Sequence, residues 1–176
     1  MKKGIALLLV LLLLAGSACA EVVVLKTPFE GVQLTLDAPA NTTLEQSIDN
    51  EMAIIHVAYA QEDTADYHIL LAKSDLEGIA GRSMTDLSDE EITQIAASSA
   101  GELEDYTFYT DVLDNGMKII VLDEAGTTDE QVGVYTLVNG YLLGIRSDYH
   151  GTDKTMTEND YRNTIALLGA ITLTIQ

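Results

Sequence analysis

Cysteine, proline, tryptophan and basic residues are all scarce in this 176-residue chain, which has one Cys, two Pro, no Trp, and nine Lys and Arg against 28 Asp and Glu. The single cysteine is Cys19, so a chain cut after residue 20 has none. That excludes disulfides, a thiol nucleophile and a cysteine-ligated zinc site together. The shortage of basic residues excludes nucleic acid as a partner, because a strongly negative chain repels phosphates and draws in cations and basic protein faces. Thirteen glycines are scattered, and none forms G-x-x-x-x-G-K-S or G-x-G-x-x-G after a strand, so no phosphate loop is present. No apolar run reaches the ~20 residues that cross a bilayer as a helix. Linkers and repeats of solenoid length are missing too, and the chain reads as one domain.

The first 20 residues have the layout of a secretory signal peptide: Lys2 and Lys3, an apolar run from Ile5 to Ala15, then Gly16, Ser17, Ala18, Cys19 and Ala20. An exported domain over residues 21–176 follows, secreted or held at the cell envelope. Cleavage after Ala20 places Ala18 and Ala20 at the two small-residue positions of the A-x-A rule. Cleavage before Cys19 would make Cys19 a lipid attachment point. In that reading Gly16 stands where a Leu is favoured, and Val22, Val23 and Val24 follow with no flexible tether. Lys2 and Lys3 leave with the leader, so residues 21–176 hold 7 Lys and Arg against 28 Asp and Glu, a formal charge of −21.

Val32, Leu34 and Leu36 alternate with polar residues, the period of a half-buried strand, and Pro39 stops it. Residues 41–50 are polar and turn-rich. "MAIIHVAY" and "YHILLAK" are apolar at both odd and even positions, which predicts strands covered on both faces. Ser88 and Glu91 form an S-x-x-E capping box, and Ile92, Ile95, Ala96, Ser99 and Leu103 recur behind it at helical spacing. Asn115-Gly116 and Asn139-Gly140 predict two tight hairpins among "YTFYTDVL", "MKIIVLD", "QVGVYTLV" and "YLLGIRS". A second helix starts near Thr157, with Tyr161, Ile165 and Leu168 as its buried stripe and Gly169 as its end. The alternating end "ITLTI" is a strand or a docked tail. Together these predict an α+β fold: an antiparallel meander of about seven strands with a helix packed on each face.

The order of "FEGVQLTLDAP", "MAIIHVAY", "YHILLAK", the helix from Ser88, the meander and "NTIALLGAITLTI" resembles the PsbP-like α/β/α sandwich. The likeness covers nearly all of residues 21–176 and lies in element order and hydrophobic pattern. It implies a binding or assembly module without a catalytic site, and it transfers no functional residue.

Candidate chemistry is sparse. His56 and His68 fall in adjacent predicted strands; if these pair antiparallel with the two residues opposed, they would bind a divalent metal with Asp66 or Glu62. The "DEAGTTDE" loop offers Asp123, Glu124, Asp129 and Glu130 as oxygen ligands for a weak calcium site, without the regular spacing of an EF-hand. Ser147, Asp148, His150 and Asp153 lie close in sequence but lack a nucleophile elbow, and they read as the turn after a strand. The tyrosines in or beside strands, Tyr109 among them, read as packing at the core's edge. The expectation is therefore an exported, non-enzymatic binding or assembly module with no cofactor and a basic protein partner. The alternative is a small-ligand or divalent-cation binding protein, and hydrolysis ranks last.

Overall fold

Period-two alternation builds the first layer. Along Val32–Ala38 (β2), Val32, Leu34, Leu36 and Ala38 are buried while Gln33 and Asp37 are exposed. Glu21–Leu25 (β1) and Ile171–Ile175 (β10) flank β2 antiparallel in a three-stranded sheet ordered β1–β2–β10. The "ITLTI" end is thus a strand. The structure, a computed structural model, describes residues 21–38, 42–48, 51–58, 65–101, 106–123, 131–149 and 158–176.

The second sheet contains Thr43–Ile48 (β3), Met52–Ala58 (β4), Ala65–Lys73 (β5), Thr107–Val112 (β6), Lys118–Asp123 (β7), Gln131–Val138 (β8) and Tyr141–Tyr149 (β9). All seven pair antiparallel, in the order β3–β4–β5–β9–β8–β7–β6. The α+β class holds, but the strands form two sheets rather than one, and the strand β3 lies in the segment read as turns. β3 is an edge strand whose side chains are mostly exposed, so burial imposes no alternation on "TLEQSI".

Both hairpins form where Asn-Gly predicts them. Asn139 (φ 50°) and Gly140 (φ 84°) close β8 onto β9, a left-handed pair matched to strand twist. Gly140 is further required by close approach, since a Cβ there would lie 2.9 Å from the Gly81 nitrogen. Its N–H donates to the Arg82 carbonyl at 2.8 Å, tying the hairpin to the loop before the first helix.

That helix, Asp89–Ala100 (α1), starts at the expected capping box: the Glu91 N–H donates to Ser88 Oγ, and the Ser88 N–H donates to Glu91 Oε2 at 2.8 Å. It ends at Gly101, and Leu103 lies outside the described residues. The second helix, Glu158–Gly169 (α2), buries Asp160, Thr164, Leu167 and Leu168, while Tyr161 and Ile165 are only half-buried. The buried stripe is rotated by about one residue from the predicted one, because polar Asp160 and Thr164 are accommodated by hydrogen bonding. The Thr164 hydroxyl donates to the Asp160 carbonyl at 2.7 Å and lies 3.1 Å from Ser147 Oγ.

Alternate residues of the large sheet enter two hydrophobic clusters. Ile55, Ile69, Val121, Val134 and Ile145 pack with Leu34 and Leu36 of β2 and with Leu167 and Leu168 of α2. Ile120, Leu122, Tyr135 and Leu137 pack with Ile92 and Ile95 of α1 and with Ile79, Met84 and Leu87, which precede it. Each buried Ile or Leu contributes about 1.5–3 kcal/mol. β4 departs from the expected two-sided burial: Ala53 and Ile55 are buried, but Met52 and Ile54 are exposed. Among the described residues, no helix is long and apolar enough to cross a membrane.

Candidate functional site

Strand register decides which nominated residues meet. β4 pairs with β5 so that His56 stands directly opposite His68, the arrangement on which the metal reading depends. The same cross-strand row continues to Glu45 on β3, opposite His56, and to Arg146 on β9, opposite His68. Residues opposed across an antiparallel pair have Cβ atoms about 4.5–5.5 Å apart. His68 is half-buried and alternates with core-facing Tyr67 and Ile69, so it belongs to the face of the sheet that carries Leu122 and α1. Asp66 lies on the same face two residues away, and Glu62 is outside the described residues.

Asp123 belongs to the opposite face, in one cross-strand row with Val132, Ser147 and Tyr67. Its Oδ1 accepts a 2.7 Å hydrogen bond from the Tyr161 hydroxyl of α2. Asp123 and His68 therefore do not join one site. Glu124, Asp129 and Glu130 lie outside the described residues, as do Cys19, His150 and Asp153. Ser147 is buried, and its hydroxyl donates to the Val132 carbonyl at 3.1 Å, so it serves the core. Among the described residues, no three His, Cys, Asp or Glu side chains gather as a metal cluster.

A groove of about 770 Å³ runs where α1 stops covering the large sheet. Ile95 and Ser98 of α1 form one wall, Met52, Ala72 and Leu142 of the sheet form another, and Glu51, Lys73 and Asp75 stand at its polar rim. None of the residues nominated from sequence lines it.

The strongest electrostatic feature holds the helix in place. Arg82 clamps Glu91 through two hydrogen bonds, of 2.5 and 3.0 Å, and donates to the Asp86 carbonyl at 2.6 Å. This pairing, reinforced by the Ser88 N–H and hydroxyl, pulls the Glu91 carboxyl down to about 2. The clamp is structural: it fixes the start of α1 against the β8–β9 hairpin, where the Asn139 N–H donates to Ser83 Oγ at 3.2 Å.

The second edge of the large sheet is β6, which sequence reasoning did not single out. All six of its side chains are exposed, including Phe108, Tyr109 and Val112. Tyr109 was expected to pack at the core's edge; at 49% exposure it does not. Its side chain projects from a strand beyond which, among the described residues, no further strand pairs. Partial burial, then the carboxylates of Asp111 and Asp123, push the Tyr109 phenol above its ordinary pKa.

Comparison with protein-family models finds none that matches the chain, and comparison with curated proteins finds no match.

Proposed function

We propose that the chain is an exported, non-enzymatic binding or assembly module of PsbP-like architecture, with a helix on each face of its main sheet, that engages a basic protein partner at or outside the cell envelope. One observation carries the reading. Among the described residues, the large exposed apolar side chains, Val22, Val24, Ile48, Met52, Ile54, Phe108, Tyr109 and Val112, all sit on edge strands or on β4 beside one. Apolar side chains gathered at sheet edges mark interaction surfaces, and a formal charge of −21 over residues 21–176 steers a cationic partner toward them. Export rests on the pattern of Lys2 to Ala20, and the sandwich rests on α1 and α2 joining the two separate clusters.

The test is site-specific photo-cross-linking in the cells that make the protein, with the reactive residue at 54, at 108, or at exposed Gln94 on α1. A discrete adduct from 54 or 108 and none from 94 is expected. Equal labelling at all three positions, or none at any, would remove the reading.

A second reading, divalent-cation binding, is favoured by the opposition of His56 and His68 with Glu45 one strand further. Imidazoles suit zinc or copper. Arg146 opposite His68 works against a bound cation, which ranks this reading second. Zinc at a hundredfold excess over its dissociation constant would stabilise the fold by about 2.7 kcal/mol. His68→Ala would abolish that rise, and an unchanged melting midpoint in the parent chain would end the reading.

A further inference from the structure

We infer that β6 is an open docking edge that receives, as an added strand, an extended segment of a partner alternating apolar residues with Lys or Arg. The inference rests on the partner-binding reading and names its place and chemistry.

The hairpin geometry shows which backbone groups are open. The Leu113 N–H donates to the Met117 carbonyl at 2.9 Å, so residue 113 faces β7. Orientation alternates along a strand, and residues 107, 109 and 111 therefore also face β7, opposite Asp123, Val121 and Ile119. Phe108, Thr110 and Val112 turn their N–H and C=O groups to the free side, where no described strand pairs with them. Of these, the Val112 N–H is taken by its neighbour's carboxylate, Asp111 Oδ1, at 2.8 Å. The donors and acceptors of Phe108 and Thr110 are left as the template an added strand needs.

The side chains specify what docks. On the face shared with Leu122 and Ile120, Phe108, Thr110 and Val112 offer apolar and methyl surface. On the other face stand Tyr109 and Asp111, with Asp123 in the neighbouring strand. An added strand alternates its own side chains between the same two faces, so it meets apolar surface at one parity and carboxylates at the other. Neither Lys nor Pro guards this edge, and the one charge in "TFYTDV" is Asp111, an anion that a cationic strand would meet favourably. A second copy of this chain is disfavoured as the occupant by the repulsion of two strongly negative molecules.

The probe is a nine-residue synthetic peptide alternating Val and Lys, with counterparts carrying Ser or Glu in place of Lys, titrated into the purified chain by fluorescence anisotropy. Thr110→Pro removes only an outward-facing N–H and is compatible with an edge strand; Phe108→Pro does the same should the first variant fail to fold. The Val–Lys peptide is expected to bind, to weaken with added salt, and to lose at least tenfold in affinity to either proline variant that retains the parent melting midpoint. Equal binding by the Val–Ser peptide would overturn the cationic specificity. Absent binding, or binding unchanged by the proline variants, would overturn strand docking at β6. A concentration-dependent dimer in sedimentation that the proline variants dissolve would give the edge to a second copy and overturn the inference. Photo-cross-linking that reports a partner at 54 but not at 108 would remove the inference and leave the broader reading standing.

Discussion

Ile54 and Ile55 are chain neighbours on β4, yet Ile55 is 0% exposed and Ile54 39%. Ile55 packs in the buried cluster that holds Leu34, Leu36 and Leu167. Ile54, on the other face of β4, joins neither buried cluster. The same residue type therefore stands in two settings: on the first face it is packed, and on the second it is exposed.

Substitutions sharpen the contrast. Ile55→Ala should cost about 2–5 kcal/mol in denaturant unfolding, because it opens a cavity in a packed layer. Ile54→Ala, one residue away, should stay within about 0.5 kcal/mol. Similar losses at both positions would erase the difference between the faces. Gly140→Ala should come next, at about 1–2 kcal/mol, since it forces a Cβ into left-handed backbone and against Gly81. A smaller loss, about 1 kcal/mol, is expected from Ser88→Ala, which removes the cap of α1. A full loss of helical signal in that variant would show that α1 depends on its cap rather than on Ile92 and Ile95.

The gentlest test is pH. The Arg82 guanidinium and the Ser88 N–H hold the Glu91 carboxyl at about 2, below its ordinary value of 4.5, so its contribution is present above pH 4.5 and fades as pH falls toward 2. Glu91→Gln should therefore narrow the gap between melting midpoints measured at pH 5 and at pH 2. An unchanged gap would show that the clamp with Arg82 is not what lowers the carboxyl.

Local chemistry made much of this fold legible in the sequence. The Ser88–Glu91 box and the two Asn-Gly turns depend on residues within four positions of each other, and each forms as predicted. Pairing between distant segments was not legible. Nothing in "ITLTI" tells that it joins β2, and nothing in "TLEQSI" marks a strand, because an edge strand with both sides wet carries no burial pattern. The His56–His68 opposition could be stated only conditionally, since a slip of one residue would send the two to opposite faces. β6 escaped for the same reason. "YTFYTDVL" reads as a strand, but whether a strand is central or terminal is decided by partners elsewhere in the chain. The apolar character of Phe108, Tyr109 and Val112 was the available signal, and it points equally to a core.

Backbone amide hydrogen exchange along β6 in the unliganded protein tests the central claim most directly, because an open edge and a ladder edge of the same strand differ residue by residue. The account predicts slow exchange at Tyr109 and Asp111, which face β7, fast exchange at Phe108 and Thr110, and an intermediate rate at Val112, held by Asp111. Protection at Phe108 and Thr110 equal to that at Tyr109 and Asp111 would mean the edge is already covered, and would contradict it.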